Sequence, residues 1–179
     1  MSLSILLLGS MITVGCGSSE SAATAKSGDN TAVARASSDE SVVVASSSAY
    51  DIEGARRQMS EWVGRQPVVI NFWGTWCPPC RREIPDLVRL YQEYNPQGVE
   101  IVSLAIKDSP AQVRNYAQRA GMDWVLLIAE EHVAQEFKLG SGVPTTIFLD
   151  RNGHEQARFV GARTYDTFKE AFEKIASSS

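Results

Sequence analysis

The sequence has few cysteines and histidines and no strong excess of either charge. Three cysteines among 179 residues are too few for a small domain held together by disulfides, and two histidines offer few metal ligands. The formal net charge is −4, from 17 basic and 21 acidic side chains. Because nucleic-acid binding normally needs a clustered basic face, this balance indicates that nucleic acid is not a partner.

Long apolar runs are also missing. The N-terminal apolar stretch, residues 3–14, covers 12 positions, whereas a helix that crosses a bilayer needs about 20. A short apolar run at an N-terminus is typical of a secretory signal, so residues 1–15 are predicted to be a signal peptide. Cys16 follows small residues and resembles the lipidated cysteine of a bacterial lipoprotein. Lipidation of Cys16 is therefore expected, and the alternative is an ordinary signal with an incidental cysteine.

Residues 16–49 have the composition of a flexible tether. Ten serines and eight alanines occupy positions 17–49, which contain no aromatic residue and no proline. Such a segment buries too little apolar surface to offset the entropy lost on ordering. A coil of this length spans roughly 30 Å, enough to hold a domain clear of a membrane. The valines at 42–44 leave an edge strand as the alternative, and the folded domain is predicted to comprise residues 50–179.

Apolar strands and amphipathic helices alternate along the predicted domain. Strands are predicted at residues 68–73, 99–105, 124–128 and 145–149, followed by a hairpin partner that ends at Val160. Helices are predicted at residues 52–63, from Cys77 to Tyr94, 110–120, 130–137 and from Thr164 onward. This alternation predicts an α/β fold in which a central sheet is covered by helices on both faces.

The strongest motif is the Cys-Pro-Pro-Cys run at residues 77–80. It directly follows a buried strand and opens a helix, where free N–H groups and the helix dipole favour a thiolate. Cys77 is therefore predicted to be the attacking sulfur and Cys80 the resolving one. A zinc site would need two further ligands, and haem attachment would need a histidine where Arg81 stands. A purely structural disulfide across so short a loop would stabilise little.

The residues around this motif resemble the thioredoxin superfamily, and within it the membrane-anchored TlpA/ResA-like thiol-disulfide oxidoreductases. The resemblance rests on residues 68–85, on residues 142–146 and on residues 146–153, and it extends over roughly residues 66–175. It implies a thioredoxin-like fold, a Cys77–Cys80 disulfide as the redox centre, and a cis bond before Pro144. No other cofactor and no metal are expected.

The resemblance also implies roles for neighbouring residues. Asn71 stands where thioredoxin has a buried aspartate, whereas the TlpA/ResA branch has an acid three residues after its second cysteine, here Glu83. Glu83 is expected to exchange a proton with Cys80, and a solvated glutamate is the alternative. Substrate-binding roles are expected for Trp76, Val143 and Pro144, and the alternative for Trp76 is a position in the core.

These features together predict an extracytoplasmic enzyme that reduces protein disulfides. The resemblance implies a membrane protein as electron donor, a lipid anchor, and disulfide-containing clients such as apocytochromes c, copper-site assembly proteins or misoxidised proteins. A monomer is expected. Two alternatives stay open: a peroxiredoxin-like peroxidase, for which Thr75 lies one residue too close to Cys77, and a copper-carrying module.

Overall fold

The computed structural model describes residues 44–140 and 142–178. The predicted signal peptide, Cys16 and most of the predicted tether lie outside the described residues. Within these residues the strands are β1 Ser48–Asp51, β2 Arg56–Gln58, β3 Val68–Trp73, β4 Glu100–Ile106, β5 Val125–Ala129, β6 Thr145–Leu149 and β7 Glu155–Val160. The α-helices are α1 Pro78–Tyr94, α2 Pro110–Ala120, α3 Glu131–Glu136 and α4 Tyr165–Ser177. Short 3-10 turns occupy Met59–Glu61 and Asn95–Gln97.

The seven strands form a mixed sheet in the order β2-β1-β5-β4-β3-β6-β7. β3 lies near the centre, parallel to β4 and antiparallel to β6. All six residues of β3 are buried, as its mostly apolar sequence predicts, and they include the polar Asn71. The sheet and its flanking helices confirm the predicted α/β, thioredoxin-like fold class.

Alternate residues of β3 supply two separate cores. Val69 and Trp73 pack in a cluster with buried side chains of α1, α2 and α4. Val68 and Phe72 pack in a second cluster that includes α3 and the segment around Met59. Because side chains alternate across a strand, Asn71 lies on the same face as Trp73, towards α1. This register places a polar side chain beneath the helix that carries the two cysteines.

Turn and cap residues fix where the helices start. Ser109 and Gln112 form the predicted capping box at the start of α2, and Thr164 caps α4 through the N–H of Thr167. α1 runs through Pro85 and ends at Tyr94. None of the described helices is long and apolar enough to cross a membrane.

The N-terminal part of the domain differs from two predictions. Residues 52–63 do not form a helix, because the Asp51 carboxylate accepts from the N–H groups of Glu53 and Ala55 and turns the chain back. β2 then pairs with β1. The tether was also predicted to reach Ala49, whereas Ala49 is 1% exposed and belongs to β1, which pairs with β5. The ordered domain therefore begins before residue 50.

Candidate active site

The two cysteines of the motif form a disulfide at the start of α1. Cys77 is the N-cap residue of the helix and Cys80 lies in its first turn. Their sulfur atoms are 2.08 Å apart and their Cα atoms 5.3 Å apart. Both residues are buried, so the redox pair lies at the boundary of the core. The structure thus brings together the two residues that the spacing singles out.

The start of α1 provides limited support for a Cys77 thiolate. The Cys80 N–H donates to Cys77 Sγ at 3.3 Å. Pro78 and Pro79 occupy the first two helical positions and have no N–H to donate. Further stabilisation of a thiolate comes from the positive end of the helix dipole.

Trp76 directly precedes Cys77 and is exposed to solvent. Its side chain is 53% exposed, and its Nε1 donates to the carbonyl oxygen of Ile106 at 2.9 Å. The indole lies directly over Gly74, where a Cβ atom would come within 2.6 Å of Nε1. The core alternative for Trp76 is therefore wrong, and a side chain at position 74 would force the indole to shift.

Asp108 is a site residue that the sequence analysis missed. Its carboxylate accepts from the Thr75 N–H at 2.6 Å and from Thr75 Oγ1 at 2.6 Å. These bonds fix the loop between β3 and the cysteines. The signal was available, since Asp108 follows β4 as Thr75 follows β3, and the carboxyl ends of adjacent parallel strands meet at one edge of the sheet.

The loop before β6 lies against Cys77. The Val143–Pro144 peptide bond is cis, as the resemblance implies. Cys77 Sγ lies 3.8 Å from the carbonyl oxygen of Val143. Thr145 Oγ1 donates to the carbonyl oxygen of Gly142 at 2.7 Å and so holds the loop in place.

Glu83 is a buried residue of α1 that follows Cys80 by three positions. It is 2% exposed, so the solvated alternative for this glutamate is wrong. Asn71 Nδ2 donates to Glu83 Oε1 at 3.1 Å. Burial raises the pKa of Glu83 to about 7, although the hydrogen bond from Asn71 and the backbone N–H and charge of Arg163 act in the opposite direction. A carboxyl group with this pKa exchanges protons near neutral pH.

A groove of about 750 Å³ opens beside Trp76 and Val143. Its apolar walls come from the ends of β4 and β5 and from the segment between α3 and β6. The apolar lining residues are Trp76, Ile106, Ala129, Ala134, Leu139 and Val143. The groove is therefore continuous with the face on which Cys77 lies.

The two histidines lie on the surface and engage nearby carboxylates. His132 Nδ1 is 3.9 Å from Glu130 Oε2, and His154 Nδ1 is 3.6 Å from Asp150 Oδ2. In the described part of the chain, no group of three or more histidine, cysteine, aspartate or glutamate side chains is arranged to hold a metal ion.

Comparison with known proteins assigns the family. Residues 42–157 match the AhpC/TSA family. The chain belongs to the AhpC/TSA family. Within this family, it is 34% identical to the thiol-disulfide oxidoreductase ResA of Geobacillus thermodenitrificans over 126 residues, 70% of this chain and 71% of that protein. It is 33% identical to ResA of Halalkalibacterium halodurans over 126 residues, which make up 70% of each of the two proteins.

Solved structures agree with this assignment. A thiol:disulfide interchange protein of the thioredoxin family from Chlorobium tepidum is 26% identical and superposes with a TM-score of 0.67, covering 75% of this chain and 95% of that one. A secreted disulfide oxidoreductase from Mycobacterium tuberculosis, 18% identical, shares the fold with a TM-score of 0.66, covering 77% and 99%. This AhpC/TSA member is accordingly a thiol-disulfide oxidoreductase of the thioredoxin superfamily, as the resemblance predicts.

Proposed function

We propose that the protein reduces disulfide bonds of client proteins outside the cytoplasm, with Cys77 as the attacking sulfur and Cys80 as the resolving one. The observation that carries the proposal is the Cys77–Cys80 disulfide at the start of α1, beside exposed Trp76 and on the helix that also carries buried Glu83. Cys77 is the N-cap residue of α1, and its Sγ lies 3.8 Å from the carbonyl oxygen of Val143, which lines the groove, so a client sulfur reaches it first. Cys80 lies deeper, which suits an internal second attack.

The exchange moves two electrons to the client. The Cys77 thiolate attacks one client sulfur, a mixed disulfide forms, and the other client sulfur leaves as a thiolate. Cys80 then loses its proton and attacks Cys77 Sγ. The mixed disulfide breaks, the second client thiolate leaves, and the oxidised pair is the Cys77–Cys80 disulfide.

Glu83 is the proposed proton acceptor for Cys80. It follows Cys80 by three residues and so shares its face of α1. Because burial raises the pKa of Glu83 to about 7, its carboxylate form is available near neutral pH and is basic enough to take a thiol proton.

Client binding is assigned to Trp76, Val143 and Pro144. The Val143 backbone lies beside Cys77, so an extended client segment can pair with it through main-chain atoms. The apolar groove beside Trp76 then accepts a client side chain next to the reacting cysteine. Recognition of this kind suits an enzyme that meets several unfolded or extended clients.

The start of α1 supports the proposed direction of the reaction. A less stabilised thiolate makes a less oxidising pair, and neither Pro78 nor Pro79 can donate an N–H to Cys77. The protein is thus a reductant rather than a disulfide-forming oxidant.

The proposed setting is the outer face of a membrane. A signal at residues 1–15, a lipid on Cys16 and a tether would hold a monomeric domain there. Disulfides persist in such oxidising compartments, so the Cys77–Cys80 disulfide must be reduced again after each turnover. A membrane electron-donor protein is the proposed source of these electrons. Apocytochromes c awaiting haem are the proposed clients, and the cysteine pair works without a further cofactor.

The peroxidase alternative is disfavoured by the surroundings of Thr75. Its hydroxyl donates to Asp108, and Cys77 is paired with Cys80. Peroxide consumption in the absence of a disulfide client would favour the peroxidase.

Trapping of the mixed disulfide tests the proposal. Reduced full-length Cys80→Ser protein is incubated with native insulin, whose disulfides are intact. It is expected to accumulate a covalent adduct, and mass spectrometry should locate the linkage at Cys77. Cys77→Ser protein should form no adduct at the active site. The matched control is Cys16→Ser/Cys80→Ser, which lacks the third cysteine and should form the same adduct as Cys80→Ser. Equal adduct formation by both active-site variants, or none by either, would contradict the proposed order of attack.

A further inference from the structure

A chain of buried hydrogen bonds ends on Glu83. Trp124 Nε1 donates to Ser103 Oγ at 2.8 Å, and Ser103 Oγ donates to Asn71 Oδ1 at 3.3 Å. Asn71 Nδ2 completes the chain by donating to Glu83 Oε1 at 3.1 Å. All four residues are buried. Asn71 and Ser103 are direct partners on the parallel strands β3 and β4, so the sheet register itself aligns the chain.

The hydrogen bonds of this chain all run in one direction, from Trp124 towards Glu83. An indole N–H can only donate, so Ser103 Oγ accepts from Trp124 and offers its own hydrogen to Asn71 Oδ1. The carbonyl of the Asn71 amide is then occupied, and its two N–H hydrogens go to Glu83 Oε1 and, at 3.1 Å, to Thr146 Oγ1. Rotating the amide by half a turn would instead place its oxygen against the Glu83 carboxyl group.

This arrangement distinguishes the two carboxyl oxygens of Glu83. Oε1 receives a fixed N–H donor from Asn71, whereas Oε2 is buried and has no partner within hydrogen-bond geometry among the described residues. The backbone N–H of Arg163 also favours the carboxylate form, but it does not reach hydrogen-bond geometry with Oε2. A proton on Oε1 would compete with the Asn71 N–H, while a proton on Oε2 would not. We propose that Asn71, Ser103 and Trp124 are positioning residues that keep Glu83 Oε1 an acceptor and so direct the exchangeable proton to Oε2.

The inference rests on the proposed exchange between Glu83 and Cys80. In that step the Cys80 S–H bond breaks, its proton forms an O–H bond at Glu83 Oε2, and the electron pair left on sulfur attacks Cys77 Sγ. The mixed disulfide breaks and the client leaves as a thiolate. After the Cys77–Cys80 disulfide is reduced again, the same oxygen returns the proton to Cys80.

The chain also sets the pH at which Glu83 can act. The Asn71 N–H stabilises the carboxylate form, so weakening this bond raises the pKa of Glu83. Among the described residues, the charged group that acts on Glu83 is Arg163, which precedes α4 and does not belong to the hydrogen-bond chain. Loss of the hydrogen-bond chain should therefore shift the acidic limb of the pH–rate profile, measured for resolution of the mixed disulfide, to higher pH.

The test measures how fast the mixed disulfide with Cys77 resolves between pH 5 and 9, by acid quenching and mass spectrometry. The probe is a synthetic peptide with one disulfide, and the enzyme is the full-length protein. Ser103→Ala should shift the acidic limb upward by at most about one pH unit, the amount expected if the Asn71–Glu83 hydrogen bond were lost entirely. Trp124→Phe should shift it less, in the same direction.

Thr146→Val is the matched control. It removes a buried hydrogen bond from Asn71 but leaves the chain to Glu83 intact, so the protein should lose stability without a shift of the limb. An unshifted limb in both Ser103→Ala and Trp124→Phe, or an equal shift in Thr146→Val, would overturn the inference.

Glu83→Gln separates the inference from the proposed function. If Glu83→Gln removes the acidic limb while Ser103→Ala leaves it in place, the positioning chain is wrong and the role of Glu83 stands. If Glu83→Gln leaves the limb unchanged, both are wrong. In the Glu83→Gln background, Ser103→Ala should produce no further shift.

Discussion

Replacing Glu83 by glutamine should make the protein more stable at alkaline pH. The folded protein holds this carboxyl group almost entirely away from water, and burial raises its pKa to about 7 from its ordinary 4.5. A raised pKa means that the folded state prefers the protonated form. The stabilising contribution is complete below pH 4.5 and is lost as the pH rises towards 7, because folding must then keep a buried negative charge.

The size of the effect follows from the shift. A difference of one pKa unit corresponds to about 1.4 kcal/mol, so a shift from 4.5 to about 7 amounts to roughly 3 kcal/mol above pH 7. Glutamine is nearly isosteric and can still accept the Asn71 hydrogen bond, but it carries no charge. The free energy of unfolding of Glu83→Gln, relative to wild type, should therefore rise by about 3 kcal/mol between pH 4.5 and 8.5.

Urea unfolding of the disulfide-intact proteins at these two pH values measures this difference directly. Comparing the variant with wild type cancels the titration of all other groups. Glu170→Gln, an exposed glutamate on α4, is the control and should differ from wild type by the same small amount at both pH values. If the difference between Glu83→Gln and wild type is also independent of pH, then Glu83 does not carry a buried charge and the assignment of its proton role fails.

Three other perturbations test the loops and the domain boundary. Gly74→Ala puts a Cβ atom 2.6 Å from Trp76 Nε1, so the indole must move. The rate of insulin reduction should fall, while the reduced cysteines should still be alkylated. An unchanged rate of insulin reduction would show that the position of the indole is unimportant. Asp108→Ala removes two hydrogen bonds of 2.6 Å and should lower the free energy of unfolding by about 1–3 kcal/mol in urea titrations; an unchanged value would contradict the role of these bonds. A chain comprising residues 50–179 should be less stable than one comprising residues 44–179 by about 2 kcal/mol or more, since it lacks half of β1, and equal stability would restore the predicted boundary.

The central strands could be predicted because their residues carry the signal themselves. β3 and β6 match the predicted residues 68–73 and 145–149, since both are mostly apolar runs rich in β-branched and aromatic residues. The N-terminal hairpin of β1 and β2 could not be predicted from its own residues. β1 contains Ser48 and Asp51, and its place in the sheet comes from pairing with β5, more than 70 residues away along the chain.

Some residues of the candidate site could likewise be predicted from the sequence, and others could not. The cysteine pair is visible in the spacing alone, and Glu83 is visible once the family resemblance is known. The partners of Glu83 depend on register: Asn71 faces α1 because of its position in β3, and Ser103 reaches Asn71 because β3 and β4 are paired. Trp124 looks like an ordinary core residue until its Nε1 is seen to donate to Ser103 Oγ. Such contacts depend on the tertiary arrangement, which local patterns do not encode.

The most direct test of the reductase assignment is the reduction potential of the Cys77–Cys80 pair. Equilibration of the full-length protein with graded mixtures of oxidised and reduced dithiothreitol, followed by alkylation and mass counting, gives the fraction oxidised at each potential. With a single N–H donor, that of Cys80, on Cys77 Sγ among the described residues, the pair should behave as a reductant, with a potential closer to the −270 mV typical of thioredoxin. A potential near −120 mV, typical of strong disulfide-forming oxidants, would contradict the account.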